Sequence, residues 1–237
     1  MPAYRAVLFD FFGTLTRAVR RGPQHDHIAR ALGCDPARMV AVLDRSFHDR
    51  CRGLLGDAAA ALRWVCAQAD GRPSPEALRM ALVARVAAVQ ADTRLRPEAV
   101  PTLRELRRRG LRTAVVSDCG YELPQFLPRL PVAPLLDARV YSVAVRRRKP
   151  HPTMYLTACA ALGVAPEECL YVGDGGSREL TGAAAVGMTA VRLAAEDLAD
   201  HLVFDPDHAW AGPAIGTLGD VLAVVGTPSA GRAPALV

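Results

Sequence analysis

From residue 97 to residue 193 the sequence alternates helix-length amphipathic stretches with strand-length apolar runs, an order that few architectures accommodate. RTAVV at 112–116, the run at 140–145, CLYV at 169–172 and residues 189–193 read as strands. Helices are expected over 97–109, 152–162 and 180–186, the last ended by Gly187. Strands and helices in regular succession imply a mainly parallel sheet with right-handed crossovers. The runs lack polar alternation, as strands covered on both faces do.

One more such run, YRAVLF at 4–9, stands alone near the start of the chain. A single strand cannot form a core, so it belongs in the later sheet. Between them lie four helix-length segments near 24–32, 36–51, 56–69 and 74–91, with Ser74 placed to cap a helix that begins at Pro75. The expected fold is α/β: a Rossmann-like parallel-sheet core over 1–16 and 97–226, with an inserted α-helical cap over 17–96. Residues 227–237, rich in Pro, Ala, Gly and Ser, read as a disordered tail.

The 237 residues, 51% hydrophobic and 22% charged, suffice for one substantial core and a smaller one. No apolar stretch approaches the ~20 residues that span a bilayer, and the start lacks a signal-peptide pattern. A cytoplasmic protein with no membrane partner is expected. The formal charge of +5 comes from dispersed arginines without aromatic interleaving. It points to a small anionic substrate rather than to nucleic acid. The six cysteines form no Cys-x-x-Cys pair and suit neither zinc nor a disulfide framework. Among the 29 basic residues Lys149 is the single lysine. In a chain so biased toward arginine, a retained lysine suggests a specific chemical demand.

Four motifs fall at the carboxyl ends of expected strands, where ligands bind in open α/β sheets. They are Asp10 after VLF, Ser117-Asp118 after TAVV, Lys149-Pro150 after the 140–145 run, and Gly173-Asp174 after LYV. Any one alone reads equally well as a helix cap; their common placement does not. With FDFFGTL around Asp10, VVSD, RKP and YVGDGGSRELTGAAAVGM, the sequence resembles the haloacid dehalogenase superfamily over roughly residues 4–223. The helical block is similar to that of the subclass with an α-helical cap.

The resemblance implies a hydrolase whose nucleophile, Asp10, forms a covalent intermediate that water then hydrolyses. It implies Ser117 as a hydrogen-bond partner of a phosphoryl group and Lys149 as the cation neutralising that group and Asp10. Gly13 and Thr14 would offer backbone amides to the substrate, with Asp118 beside it. Mg²⁺ would be held by Asp10, the Phe12 backbone carbonyl and Asp174, and by Glu179 directly or through water.

Phe12 departs from the family pattern. Phosphatases of the family usually carry there a second aspartate that serves as general acid and base, help worth roughly 10²–10⁴-fold. Three readings follow. The first is a Mg²⁺-dependent phosphatase in which His25 or His27 replaces the acid, or whose substrate has a good leaving group. The second is a metal-independent 2-haloacid dehalogenase, since a halide needs no proton. The third is a binding protein that has lost turnover. Asp174 and Glu179 favour the first. Arg17, Arg20, Arg21, Arg50 and Arg52 could each grip a substrate anion, although each alone reads as a solvated surface charge. Trp64 and Trp210 read as packing residues, and Cys119 lies close to the expected site with nothing beside it to activate a thiolate. A monomer and a homodimer are equally compatible with the sequence.

Overall fold

The structure, a computed structural model, describes residues 4–208 and 210–226; the tail expectation over 227–237 lies outside them. Strand β1 (Ala6–Phe9) is followed by α1 (Gln24–Ala31), α2 (Pro36–Arg45), α3 (Phe47–Cys51), α4 (Ala58–Gln68) and α5 (Pro75–Ala91). Then come α6 (Ala99–Arg108), β2 (Arg112–Ser117), α7 (Glu122–Phe126), β3 (Ala138–Tyr141), α8 (Ser142–Val145) and α9 (Pro152–Leu162). The chain continues through β4 (Cys169–Gly173), α10 (Glu179–Ala185), β5 (Thr189–Leu193), β6 (Ala214–Ile215) and α11 (Val221–Val224).

The six strands form one parallel sheet in the order β3-β2-β1-β4-β5-β6. Side chains alternate between two covered faces. Val7, Phe9, Val115 and Val172 pack with α6 and α7 on one face, while Leu8, Ala114, Val116 and Tyr171 pack with α9 and α10 on the other. Each fully buried Val, Leu or Phe contributes about 1.5–3 kcal/mol of apolar burial. The strand order reverses at β1. Its register pairs Phe9 with Val115 of β2 and with Val172 of β4. Asp10, Ser117 and Asp174 therefore emerge along one edge of the sheet, at the switch point where such folds bind ligands.

Helices α1–α5 bury a cluster of their own that includes Ile28, Leu32, Met39, Val42 and Leu62. Their starts are encoded locally. Asp35, Asp57 and Ser74 each accept a hydrogen bond from the backbone amide three residues on, at 2.8–3.1 Å, and Pro36 and Pro75 open α2 and α5. The two linkers to the sheet run antiparallel, with Thr16 bridging Leu95 and the Arg17 amide donating to the Arg94 carbonyl at 2.8 Å.

Two sequence expectations differ from the structure. The 140–145 run is not all strand: β3 ends at Tyr141 because its partner β2 ends at Ser117, and residues 142–145, with nothing left to pair with, coil into α8. The single helix expected over 36–51 breaks at Ser46, whose Oγ donates back to the Val42 carbonyl at 2.6 Å. The insertion thus has five helices among the described residues.

Candidate active site

The loop after β1 sets the site's geometry. Asp10 continues the extended backbone, its amide donating to the Val172 carbonyl at 2.9 Å. Gly13 then takes φ +81°, and its amide donates to Thr16 Oγ1 at 2.9 Å. That amide is committed within the loop, contrary to the expectation that it faces a substrate. Arg96, which sequence reasoning missed, clamps the loop from the second linker. Buried, it donates to the Gly13 and Thr14 carbonyls at 2.9 and 3.0 Å and pairs with Asp197 at 2.7 Å.

Glycine at position 13 is required twice over. A Cβ there would lie 2.6 Å from His201 Nε2 and 3.0 Å from Asp174 Oδ2. Gly13→Ala is expected to cost about 1–3 kcal/mol of stability, read by denaturant unfolding. An unchanged midpoint would show that the loop relaxes freely.

Lys149 is the centre of charge. It is 2% exposed, and its Nζ donates to Asp10 Oδ1 at 2.5 Å and to Glu179 Oε2 at 2.6 Å. Asp118 Oδ1 accepts from the Lys149 backbone amide at 2.9 Å, which fixes the loop carrying the ammonium. Glu179, fully buried, also accepts from Tyr171 OH at 2.8 Å and from the Gly175 amide at 2.9 Å. Oxygens of Asp10, Asp174 and Glu179 lie within 4.8 Å of one another.

These carboxylates share one ammonium. Burial pushes Asp10 up from its ordinary 3.8 to about 7; Lys149 opposes the rise and Glu179 adds to it. Asp174 is raised well above the ordinary value by burial, then by Glu179 and Asp10. Burial disfavours the Lys149 ammonium, but Asp10, Glu179 and Asp118 hold it well above the ordinary lysine value. A raised carboxylate binds its proton more tightly in the folded chain. Its stabilising contribution is complete below about pH 4 and is lost as pH rises through about 7. Without divalent cation the melting temperature is therefore expected to fall between pH 5 and pH 8, and Mg²⁺ at pH 8 to restore it. A melting curve that is flat in pH with EDTA would contradict this charge count.

His201 lies beside the cluster, on the segment between β5 and β6. The Val19 amide donates to its Nδ1 at 2.9 Å, so the ring proton resides on Nε2, 3.4 Å from Asp174 Oδ2. Burial lowers its pKa and favours the neutral ring.

A cavity of about 170 Å³ opens above these groups, between the sheet edge and the helical insertion. Asp10, Phe12, Asp118, Lys149, Asp174 and Glu179 line its floor. Ser117 and Thr14 do not line it; their hydroxyls are enclosed with no hydrogen-bond partner. His25 lines the wall, with Nε2 2.7 Å from Asp92, whereas His27 is exposed and bonds the Pro23 carbonyl. Arg21 and Arg50 reach the cavity; Arg17, Arg20 and Arg52 do not. Cys119 also lines it, its thiol pushed well up by burial and unsuited to act as a thiolate. All six cysteines are free and buried. Phe47 of α3 stacks on Phe204 at 4.0 Å, bringing insertion and core together beside the opening.

The donor set suits Mg²⁺. It consists of the hard carboxylate oxygens of Asp10, Asp174 and Glu179, and their negative charge exceeds what one ammonium can balance.

Over residues 4–187 the chain matches the family described as haloacid dehalogenase-like hydrolase. Glyceraldehyde 3-phosphate phosphatase of Methanopyrus kandleri is 34% identical over 122 residues, 51% of this chain and 52% of that protein. Phosphoserine phosphatase of Thermus thermophilus is 37% identical over 98 residues, 41% and 39% of the two chains. The chain spans about half the length of the curated relatives it matches, or less. Among solved structures, L-2-haloacid dehalogenase of Xanthobacter autotrophicus has a TM-score of 0.63 at 22% identity, covering 92% of this chain and 96% of that one. A phosphatase from Thermococcus onnurineus gives 0.64 at 24%, covering 94% and 98%. At these identities the likeness is one of fold, and it is equal for the two chemistries. Among the described residues no helix is long and apolar enough to cross a membrane.

Proposed function

Because the chain belongs to the haloacid dehalogenase-like hydrolase family, we propose that it is a Mg²⁺-dependent phosphatase acting on a small phosphate ester through an aspartyl-phosphate intermediate. The observation that carries this reading is the carboxylate excess at Asp10, Asp174 and Glu179, against which the described residues set the single ammonium of Lys149. A haloacid dehalogenase has no use for a cation there, and a haloacid's own carboxylate would meet three more.

In this reading Asp10 Oδ1 stays on the Lys149 ammonium while its other oxygen attacks phosphorus and the ester oxygen departs. Water then hydrolyses the acyl phosphate and regenerates Asp10. Lys149 orients the nucleophile and offsets charge on the phosphoryl oxygens. Glu179 positions Lys149 and completes the negative set, and Asp118 fixes the lysine loop. Asp10, Asp174 and the Phe12 carbonyl would hold Mg²⁺, which supplies charge neutralisation at the phosphoryl group. Ser117 Oγ, buried and unpartnered, would meet a phosphoryl oxygen after a small local shift. Residues 17–96 would act as a cap over a core built from 1–16 and 97–226, hinged at the paired linkers.

Phe12 favours a second reading, the metal-independent dehalogenase, because an aromatic ring beside the nucleophile gives no proton and a halide needs none. A parallel assay of phosphate esters and 2-haloacids, with Mg²⁺ or EDTA, separates the two. Phosphate release abolished by EDTA is expected, together with a Mg²⁺ affinity at least about tenfold weaker in Asp174→Ala by calorimetry. Halide release that persists in EDTA would replace the phosphatase reading with the dehalogenase one.

A further inference from the structure

The cavity has a second charged end, on the helical insertion. Three guanidiniums line it, those of Arg21, Arg50 and Arg85. Two are matched: Arg21 pairs with Asp44, and Arg85 pairs with Glu122 at 2.6 Å. The nearby Asp92 is held by His25 at 2.7 Å and by the Gly22 amide at 2.9 Å. Arg50 has no carboxylate at ion-pair distance among the described residues. Its Nε donates to Ser46 Oγ at 3.2 Å and its Nη2 to the Leu43 carbonyl at 2.9 Å. These two bonds fix the plane of the guanidinium and leave Nη1 without an acceptor. Nη1 lies 3.8 Å from where a Cβ on Gly120 would stand, and Gly120 lines the same cavity as Asp10 and Lys149.

Burial, aided by Arg85 and opposed by the nearby Glu122, lowers the Arg50 pKa to about 10, so the group is still cationic at neutral pH. Arg50 and Arg85 thus share the one carboxylate of Glu122, which leaves a positive charge over, and a ligand that brings a further anion relieves that cost. Only one nitrogen is free, which matches a singly charged carboxylate better than a second phosphoryl group with its greater charge. Arg50, Asp10 and Lys149 line one cavity of about 170 Å³, which suits a small ligand.

We propose that Arg50 is the specificity-determining residue for a carboxylate on the substrate, which is then a short phosphate ester of a hydroxy acid. This rests on the phosphatase reading for the end at which the phosphoryl group binds. Arg50 holds the far end of the substrate, and the ester oxygen lies between it and Asp10.

Calorimetry on the full chain with Mg²⁺ present tests the proposal with two phosphonates that cannot be hydrolysed. Phosphonoacetate carries the carboxylate; methylphosphonate does not. Phosphonoacetate is expected to bind roughly ten- to a hundredfold tighter. Arg50→Met should bring the ratio close to one, and Arg50→Lys, which keeps the charge in place, should retain part of it even if the methionine variant folds poorly. Equal binding of the two phosphonates, no binding of either, or an undiminished ratio in both variants overturns the proposal. Phosphate release from 2-phosphoglycolate judges the phosphatase reading separately. An Arg50-dependent binding preference without release sinks that reading alone. Release without any preference for the carboxylate sinks the Arg50 proposal alone.

Discussion

Asp10→Asn is expected to lower turnover by at least about 10⁴-fold while leaving the protein folded. The amide cannot open an ester by forming an acyl phosphate, and no neighbouring carboxylate stands in the same place. Asp174 lies across the cluster, and Glu179 is fully engaged by Lys149, Tyr171 and the Gly175 amide. Stability should not be the casualty. The Asp10 carboxyl is raised to about 7, so above neutral pH the folded chain carries an ionised group it accommodates poorly. The neutral amide removes that burden, and Lys149 keeps Glu179 as a partner at 2.6 Å. A melting temperature at pH 8 equal to or above that of the parent chain, with turnover lost, is the expected pair of results. Turnover within tenfold of the parent would remove Asp10 from the role of nucleophile.

Phe12→Asp is expected to act in the opposite direction. Phe12 lines the cavity two residues from Asp10, half-buried, with its ring edge-on to Phe11 at 5.1 Å. A carboxyl group at this position would supply the missing proton donor, and general acid help is worth roughly 10²–10⁴-fold. The gain should depend on the leaving group. Turnover of an alkyl phosphate should rise by about a hundredfold at the lower end of that range. Turnover of 4-nitrophenyl phosphate, whose phenolate leaves unaided, should change little. Losing the aromatic pair costs about 0.5–1.5 kcal/mol beyond apolar burial, so the variant should be assayed well below its melting temperature. A uniform fall for both esters would mean that the added negative charge outweighs the added proton.

Much of this was legible in the sequence because it is local. The strands β1 and β4 announce themselves as short apolar runs, and β2 and β5 as shorter apolar cores flanked by Thr and Arg. Asp10, Ser117, Lys149 and Asp174 could be placed at one edge of a parallel sheet without knowing any distance. The misread elements failed for lack of long-range information. Residues 140–145 are apolar apart from Ser142, and only the length of β2 decides where the pairing stops. The two-residue β6 carries too little pattern to see, and α7 contains Pro124, which reads as a breaker. Arg96 and His201 were invisible for a different reason. Arginine is so frequent here that no single one stands out, and His201 reaches Gly13 across more than 180 residues of chain. Arg50 drew notice only as one of several cap arginines. What distinguishes it is that it shares Glu122 with Arg85 and, among the described residues, has no carboxylate at ion-pair distance, a property of the folded chain.

The ammonium held between Asp10 and Glu179 has a use beyond its chemistry. Lys149 is the sole lysine of the chain. Protein grown on isotope-labelled lysine therefore carries one labelled side chain, located beside Asp10. Its resonance needs no assignment and reports the charge state of the carboxylates around it. Every ligand, cation or pH change that reaches the site is visible as the shift of a single peak.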